Sequence, residues 1–154
     1  METTRLTDTS LTAGDIFRGF LAGALGVLVF QFGLNAMLYA AGMSANPPYP
    51  MGSVPPFGVP QTVSAAFWGG LWGILLMLVL RNVHSEAGYW LTAILFGAIA
   101  VSAVLLFVVF PLKGRPIAAG WDMSTWVRIF TSHAAFGLGT AVFLRLLARQ
   151  PSVK

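Results

Sequence analysis

The chain has 154 residues, 56% of them hydrophobic and 9% charged, with a mean hydropathy of +0.77. A soluble domain carries roughly 25% charged residues, so this composition excludes a water-solvated globule and implies lipid as the solvent. The net charge of +4 would suit a nucleic-acid binder, but on so apolar a chain nine basic residues serve to orient spans, and no nucleic-acid partner is expected.

Residues 1–14 read as a polar, threonine-rich tail. Thr12-Ala-Gly-Asp15 has capping-box spacing, a hydroxyl followed three residues on by an acid. It predicts a first helix over residues 13–41, stopped by Gly42. No Asp, Glu, Lys or Arg occurs between Arg18 and Arg81. That run is long enough for two crossings of about 20 residues each. Its first part exceeds the roughly 7–15 residues of a signal-peptide core and lacks a small-x-small cleavage site, so it is expected to be retained as a span.

The connection between these crossings is a loop over residues 44–61. Its centre, Asn46–Pro60, holds six of the nine prolines and no charge. Locked φ angles lower the entropy lost when a loop lies down on a surface. The loop is therefore expected to cap the outer mouth of the bundle or to dock on a partner, with Tyr49 and Phe57 as anchors. The alternative is a connector resting among lipid headgroups.

A second helix is predicted over residues 62–80. The uncharged run from Ala87 to Leu112 predicts a third over 88–110, stopped by Pro111. The run from Ile129 to Leu144 is short for a span, so the fourth helix must begin before Arg128 or tilt little. It is expected over 124–148, capped by Asp122 or Ser124, with Pro151 beyond its end. Residues 15–149 thus form one all-α integral membrane domain, a four-transmembrane-helix bundle with a Pro-rich outer loop between helices 1 and 2. Residues 150–154 are a second short tail.

With the N-terminus inside, the cytoplasmic face collects Arg5, Arg18, Arg81, Arg145, Arg149 and Lys154, against Lys113, Arg115 and Arg128 outside. The excess predicts an inner or plasma membrane protein with both termini cytoplasmic. Tyr89 and Trp90 at one end, and Trp121 and Trp126 at the other, fit interfacial belts. Ala65-Ala66-Phe67-x-x-Gly70 echoes Ala134-Ala135-Phe136-x-x-Gly139, and Ala22/Gly26 echoes Ala93/Gly97. This admits a tandem repeat of two helical hairpins.

Small residues at helical spacing are the strongest pattern. Gly19, Gly23, Gly26 and Gly33 are expected on one face of helix 1, Gly69 and Gly73 on helix 2, Gly97 on helix 3 and Gly137 on helix 4. Helices in lipid associate by close backbone approach, so these are packing surfaces. Four helices rarely need such a face on every member, which points one stripe toward a second subunit. Gln31 and Asn35, one turn apart on helix 1, should face inward toward His133 as an interhelical clamp or a small polar pocket. Trp68 and Trp72 form a ridge that either packs on a neighbour or cradles a flat ligand. Arg128 is expected to snorkel to the headgroups.

No catalytic constellation is legible. With no cysteine, no clustered carboxylates and two histidines at different depths, neither a metal site nor another cofactor is expected. The expectation is a non-enzymatic multi-pass protein working by helix–helix contact, as an accessory or scaffolding subunit or a self-assembling module. Its partners would be the lipid bilayer and a second copy or other membrane subunits. The alternatives are a small transporter or channel protomer, and a ligand-binding or sensory protein.

Overall fold

A computed structural model describes residues 11–148. Most of the first tail, Arg5, Arg149, Pro151, Lys154 and the tail over 150–154 lie outside the described residues. Four helices are long and apolar enough to cross a membrane: α1 (Ala13–Ala40), α2 (Gln61–Leu80), α3 (Glu86–Leu112) and α4 (Met123–Ala148). A two-residue hairpin, β1 (Ser53–Val54) and β2 (Val59–Pro60), lies in the loop between α1 and α2. Below, the end carrying that loop is the loop end, and the opposite end is the termini end.

Local chemistry sets the helix limits. At Thr12 both arms of the capping box form: the Asp15 N–H donates to Thr12 Oγ1 at 3.1 Å, and the Thr12 N–H donates to Asp15 Oδ2 at 3.1 Å. α1 ends one residue before the expected boundary. Gly42 takes a left-handed φ of 72°, and Met43 and Gly42 donate back to the carbonyls of Leu38 and Tyr39. This double bond satisfies carbonyls that a helix end otherwise leaves open. Ser85 caps α3, accepting from the Gly88 N–H at 3.1 Å, so the helix starts two residues before the expected Gly88. Asp122 is the α4 cap; its carboxylate accepts from the Thr125 N–H at 2.9 Å and from the Ser124 hydroxyl at 2.7 Å.

Pro111 does not stop α3, which runs on to Leu112. The helix widens into a π-helical stretch over Leu105–Val109, immediately before the proline. A wider turn absorbs the missing N–H and the ring bulk that would break a regular α-helix. α3 has a second π-helical stretch at Phe96–Val101, and α1 has one at Gly26–Gln31.

The α1 glycines do not share the expected single face. The extra residue in the π-helical stretch rotates Gly33, which lies beyond it, whereas Gly26 opens the stretch. Gly19 and Gly23 lie against Gly73 and Gly69 of α2, but Gly26 faces Thr140 and Phe136 of α4. Gly33 has nothing within 4 Å of where a Cβ would stand. On the other side of the bundle, Gly97 of α3 meets the His133 carbonyl, and Gly137 of α4 meets the Ala93 carbonyl. α4 therefore sits between α1 and α3, and α2 lies against α1. Gly26 and Gly97, equivalent in the repeat echo, both meet α4.

Two apolar clusters fill the bundle. Val27, Phe32, Val101 and Phe136 form one; Leu76, Leu80, Ala93 and Ala141 form the other, with Phe96 packed against both. The backbones of α2 and α3 come close beside the turn that joins them and separate toward the loop end. At the termini end, Arg145 of α4 pairs with Glu86 of α3 at 2.8 Å and lies 4.1 Å over the Tyr89 ring and 4.8 Å over Trp90. Tyr89 and Trp90 are thus packing surfaces for a cation as well as boundary aromatics.

The segment between α3 and α4 contains four consecutive left-handed residues, Ala118, Ala119, Gly120 and Trp121, with φ from 53° to 63°. Three of the four are not glycine, and each such residue costs about 1–2 kcal/mol. The turn is held by the Trp126 Nε1–H donating to the Ala118 carbonyl at 2.8 Å, and by the Trp121 ring stacked on Trp126 at 5.5 Å.

Candidate functional site

Four polar side chains of the helices, Asn35, Ser102, Ser132 and His133, meet in one layer. On α4, Ser132 and His133 are adjacent and so point in different directions about the helix. His133 Nδ1 pairs with the Ser102 hydroxyl of α3 at 2.8 Å, and both side chains are buried. The Ser132 hydroxyl turns toward α1 and donates to Asn35 Oδ1 over a longer 3.4 Å. The expected clamp between Asn35 and His133 is thereby corrected. Asn35 is held by the neighbouring serine, while His133 reaches across the opposite interface. Gln31 makes no side-chain hydrogen bond among the described residues and is half-buried. Thr140, further along α4, returns its hydroxyl to the Phe136 carbonyl at 2.8 Å.

Ser102 follows directly on the π-helical stretch at Phe96–Val101, and a second such stretch begins three residues later. These widenings set the azimuth at which Ser102 meets His133. Nothing in the apolar run of α3 announces them, although Ser102 is one of its two aliphatic hydroxyls, with Thr92. Ser132 was hidden by its more conspicuous histidine neighbour.

The Pro-rich loop folds back along α1. The Tyr49 hydroxyl donates to the Leu28 carbonyl at 2.9 Å, and its ring meets Phe32 edge-on at 5.4 Å. Leu28 lies inside the π-helical stretch of α1. At 1.5 Å rise per residue, that carbonyl lies about 18 Å below the end of the helix. Tyr49 therefore anchors the loop much deeper than the mouth. The loop is further tied to α2, whose Gln61 and Thr62 N–H groups donate to the carbonyls of Gly52 and Pro50. Phe57 is not an anchor. It stands at the tip of the β1–β2 hairpin with 87% of its surface exposed. The four-residue turn between the strands directs it away from the bundle.

The Trp68/Trp72 ridge also divides. Trp72 packs into the core with its ring 5.8 Å from Phe96, whereas Trp68, one turn nearer the loop end, is 58% exposed. The separation of α2 from α3 explains the difference, since Trp68 finds no opposing helix.

Two cavities open at the ends of the bundle. The termini-end cavity, about 290 Å³, mixes charges: Asp15, Arg18 and Arg81 share its wall with Tyr89. The loop-end cavity, about 280 Å³, is lined by Gln61, Leu105, Val109, Phe110, Lys113, Arg115, Thr125, Arg128 and Ile129. Its floor residues Leu105 and Ile129 stand one turn from Ser102 and His133 on the same helices. Arg128 is exposed at this cavity's rim, at the headgroup end where snorkelling would place it.

Fold and site together define a bundle of four membrane-crossing-length helices with a polar layer, an inward-anchored loop and a cavity above that layer. Comparison with protein-family models, curated proteins and solved structures finds no match for this chain.

Proposed function

We propose that the protein is a membrane-embedded binding protein that works by holding a small amphipathic ligand at its loop end. The observation that carries this reading is the loop-end cavity, which stands open above the paired Ser102 and His133 and beside a loop tied to two helices. A transporter would need a continuous polar path. Here Ser102 binds His133 and Ser132 binds Asn35, and Val27, Phe136 and Leu76 are buried on the termini side of those pairs. The glycines that suggested an accessory subunit are consumed in internal contacts, Gly33 excepted. Placement in an inner or plasma membrane with both termini cytoplasmic belongs to the same proposal.

A second reading, docking on another subunit or a second copy, is favoured by the exposed tip at Phe57, with Met51 of the same loop at 63% exposure. Purification in a mild detergent with mass analysis of bound material separates the two. A stoichiometric small amphiphile is expected. A stoichiometric protein partner, with no small molecule retained, would replace the first reading by the second.

A further inference from the structure

The two end cavities are similar in size but differ in charge balance. At the termini end Arg18 lies 3.7 Å from Asp15, so cation and anion offset one another within the cavity wall. The loop-end wall carries Lys113, Arg115 and Arg128 and no carboxylate. Among the described residues none of these three cations has a carboxylate within ion-pair distance. The nearest acid in sequence, Asp122, has its carboxylate engaged by the Thr125 N–H and the Ser124 hydroxyl.

Three like charges around about 280 Å³ repel one another unless an anion joins them. The fold nevertheless builds the arrangement. Gly114, with φ of 68°, turns the chain after α3, and the Arg115 N–H donates to the Phe110 carbonyl at 2.9 Å. The Arg115 guanidinium lies 4.1 Å over the Phe110 ring, which presents it at the cavity wall. Thr125 and Gln61, from the first turns of α4 and α2, add a hydroxyl and an amide. The floor is apolar: Leu105, Val109, Phe110 and Ile129. The cavity takes Gln61 from the start of α2 and Leu105, Val109 and Phe110 from α3, at the end where those two helices have separated.

We propose that the loop-end cavity binds a phosphate-bearing anion between Lys113, Arg115 and Arg128, and that the anion is the headgroup of an anionic phospholipid. The apolar floor and the gap between α2 and α3 favour a lipid over free phosphate, since both give an acyl chain a path into the hydrocarbon. A guanidinium offers a planar fork to phosphate oxygens, a lysine a point charge, and Thr125 a further donor. Basic recesses between spanning helices recognise acidic headgroups on the same physical ground. This inference rests on the binding-protein reading and specifies its ligand class.

The test is a titration of the full chain in neutral detergent with dihexanoyl-phosphatidylglycerol, following thermal unfolding by tryptophan emission. Dihexanoyl-phosphatidylcholine and inorganic phosphate are titrated in parallel. The phosphatidylglycerol is expected to raise the melting temperature saturably, and added salt to weaken it. The double substitution Lys113→Gln/Arg128→Gln is expected to weaken binding about thirtyfold. Arg18→Gln at the other end should leave binding unchanged. Both altered positions are exposed, so an unshifted melting temperature without lipid confirms that the variants fold. Equal stabilisation by inorganic phosphate would uphold the anion site and assign it to soluble phosphate. Stabilisation by phosphatidylglycerol that survives the double substitution would overturn the site, as would equal stabilisation by phosphatidylcholine or none by any probe. A different amphiphile found on purification would leave the binding-protein reading standing without this site.

Discussion

Single atoms decide how closely the helices approach. A Cβ added at Gly23 would fall on the Gly69 carbonyl and within 2.7 Å of the Gly73 Cα, and the backbone cannot yield as a flexible side chain can. Gly33 has the same side chain on the same helix and open space around it. Gly23→Ala is therefore expected to cost at least the 1–3 kcal/mol typical of overpacking, and Gly33→Ala about nothing. Unfolding in mixed micelles measures both. Equal losses would show that helix propensity, not the α1–α2 contact, governs these positions. The polar residues follow a similar logic. Gln31, Asn35 and His133 were expected to face inward because an unsatisfied amide or imidazole in hydrocarbon is costly. His133 is buried and Asn35 bonded, while Gln31 is half-buried without a side-chain bond among the described residues. Which of them meet was not legible, since adjacent residues on one helix face different neighbours.

At the level of elements, caps and stops were written locally and could be read locally. Thr12, Asp15, Gly42 and Asp122 act within a few residues of themselves. Asp122 lies between spans, and its carboxyl is held at about 2, below the ordinary value of 3.8, chiefly by hydrogen bonds from Thr125 and Ser124. A folded-state value below the unfolded one means that the cap's contribution is complete above pH of about 3.8. It is lost as pH falls through about 2. The start of α4 is thus expected to loosen only in that acid window, and emission of the stacked Trp121–Trp126 pair should report it. Asp122→Asn keeps an acceptor and removes the charge, so its emission should be flat across the window. A wild-type transition centred near neutrality would contradict the cap assignment. The π-helical stretches are the counterexample to local legibility. Gly26–Gln31 reads as ordinary apolar helix, and the Leu28 carbonyl gains its extra partner, Tyr49, only from a loop 21 residues away.

For the whole molecule, orientation is the property that charge counting proposes and that packing leaves open. Among the described residues the two ends carry equal numbers of basic side chains in the expected frame: Arg18, Arg81 and Arg145 against Lys113, Arg115 and Arg128. The cytoplasmic excess rests on Arg5, Arg149 and Lys154. The chain has no native cysteine, so single introduced thiols report without background. In intact cells Ser53→Cys is expected to react with a membrane-impermeant reagent and His84→Cys to resist it. The reverse pattern would invert the protein and place the basic cavity on the cytoplasmic side.

The sequence by itself determined the number of membrane-crossing-length helices and their limits to within two residues. Charge-free length and capping chemistry are properties of contiguous residues. Only the tertiary structure decided what each face touches. Glycine stripes, the Trp68/Trp72 ridge and the prolines of the loop are compatible with several neighbours, and in an apolar chain every neighbour looks alike. Close contact chose among them, rotating Gly33 out of register, turning Trp72 inward and Phe57 outward. It also gathered Lys113, Arg115 and Arg128, from two helix ends and the segment between them, around one cavity. Charge counting put these three at one end of the chain's helices, but only the packing of α2, α3 and α4 set them around one cavity.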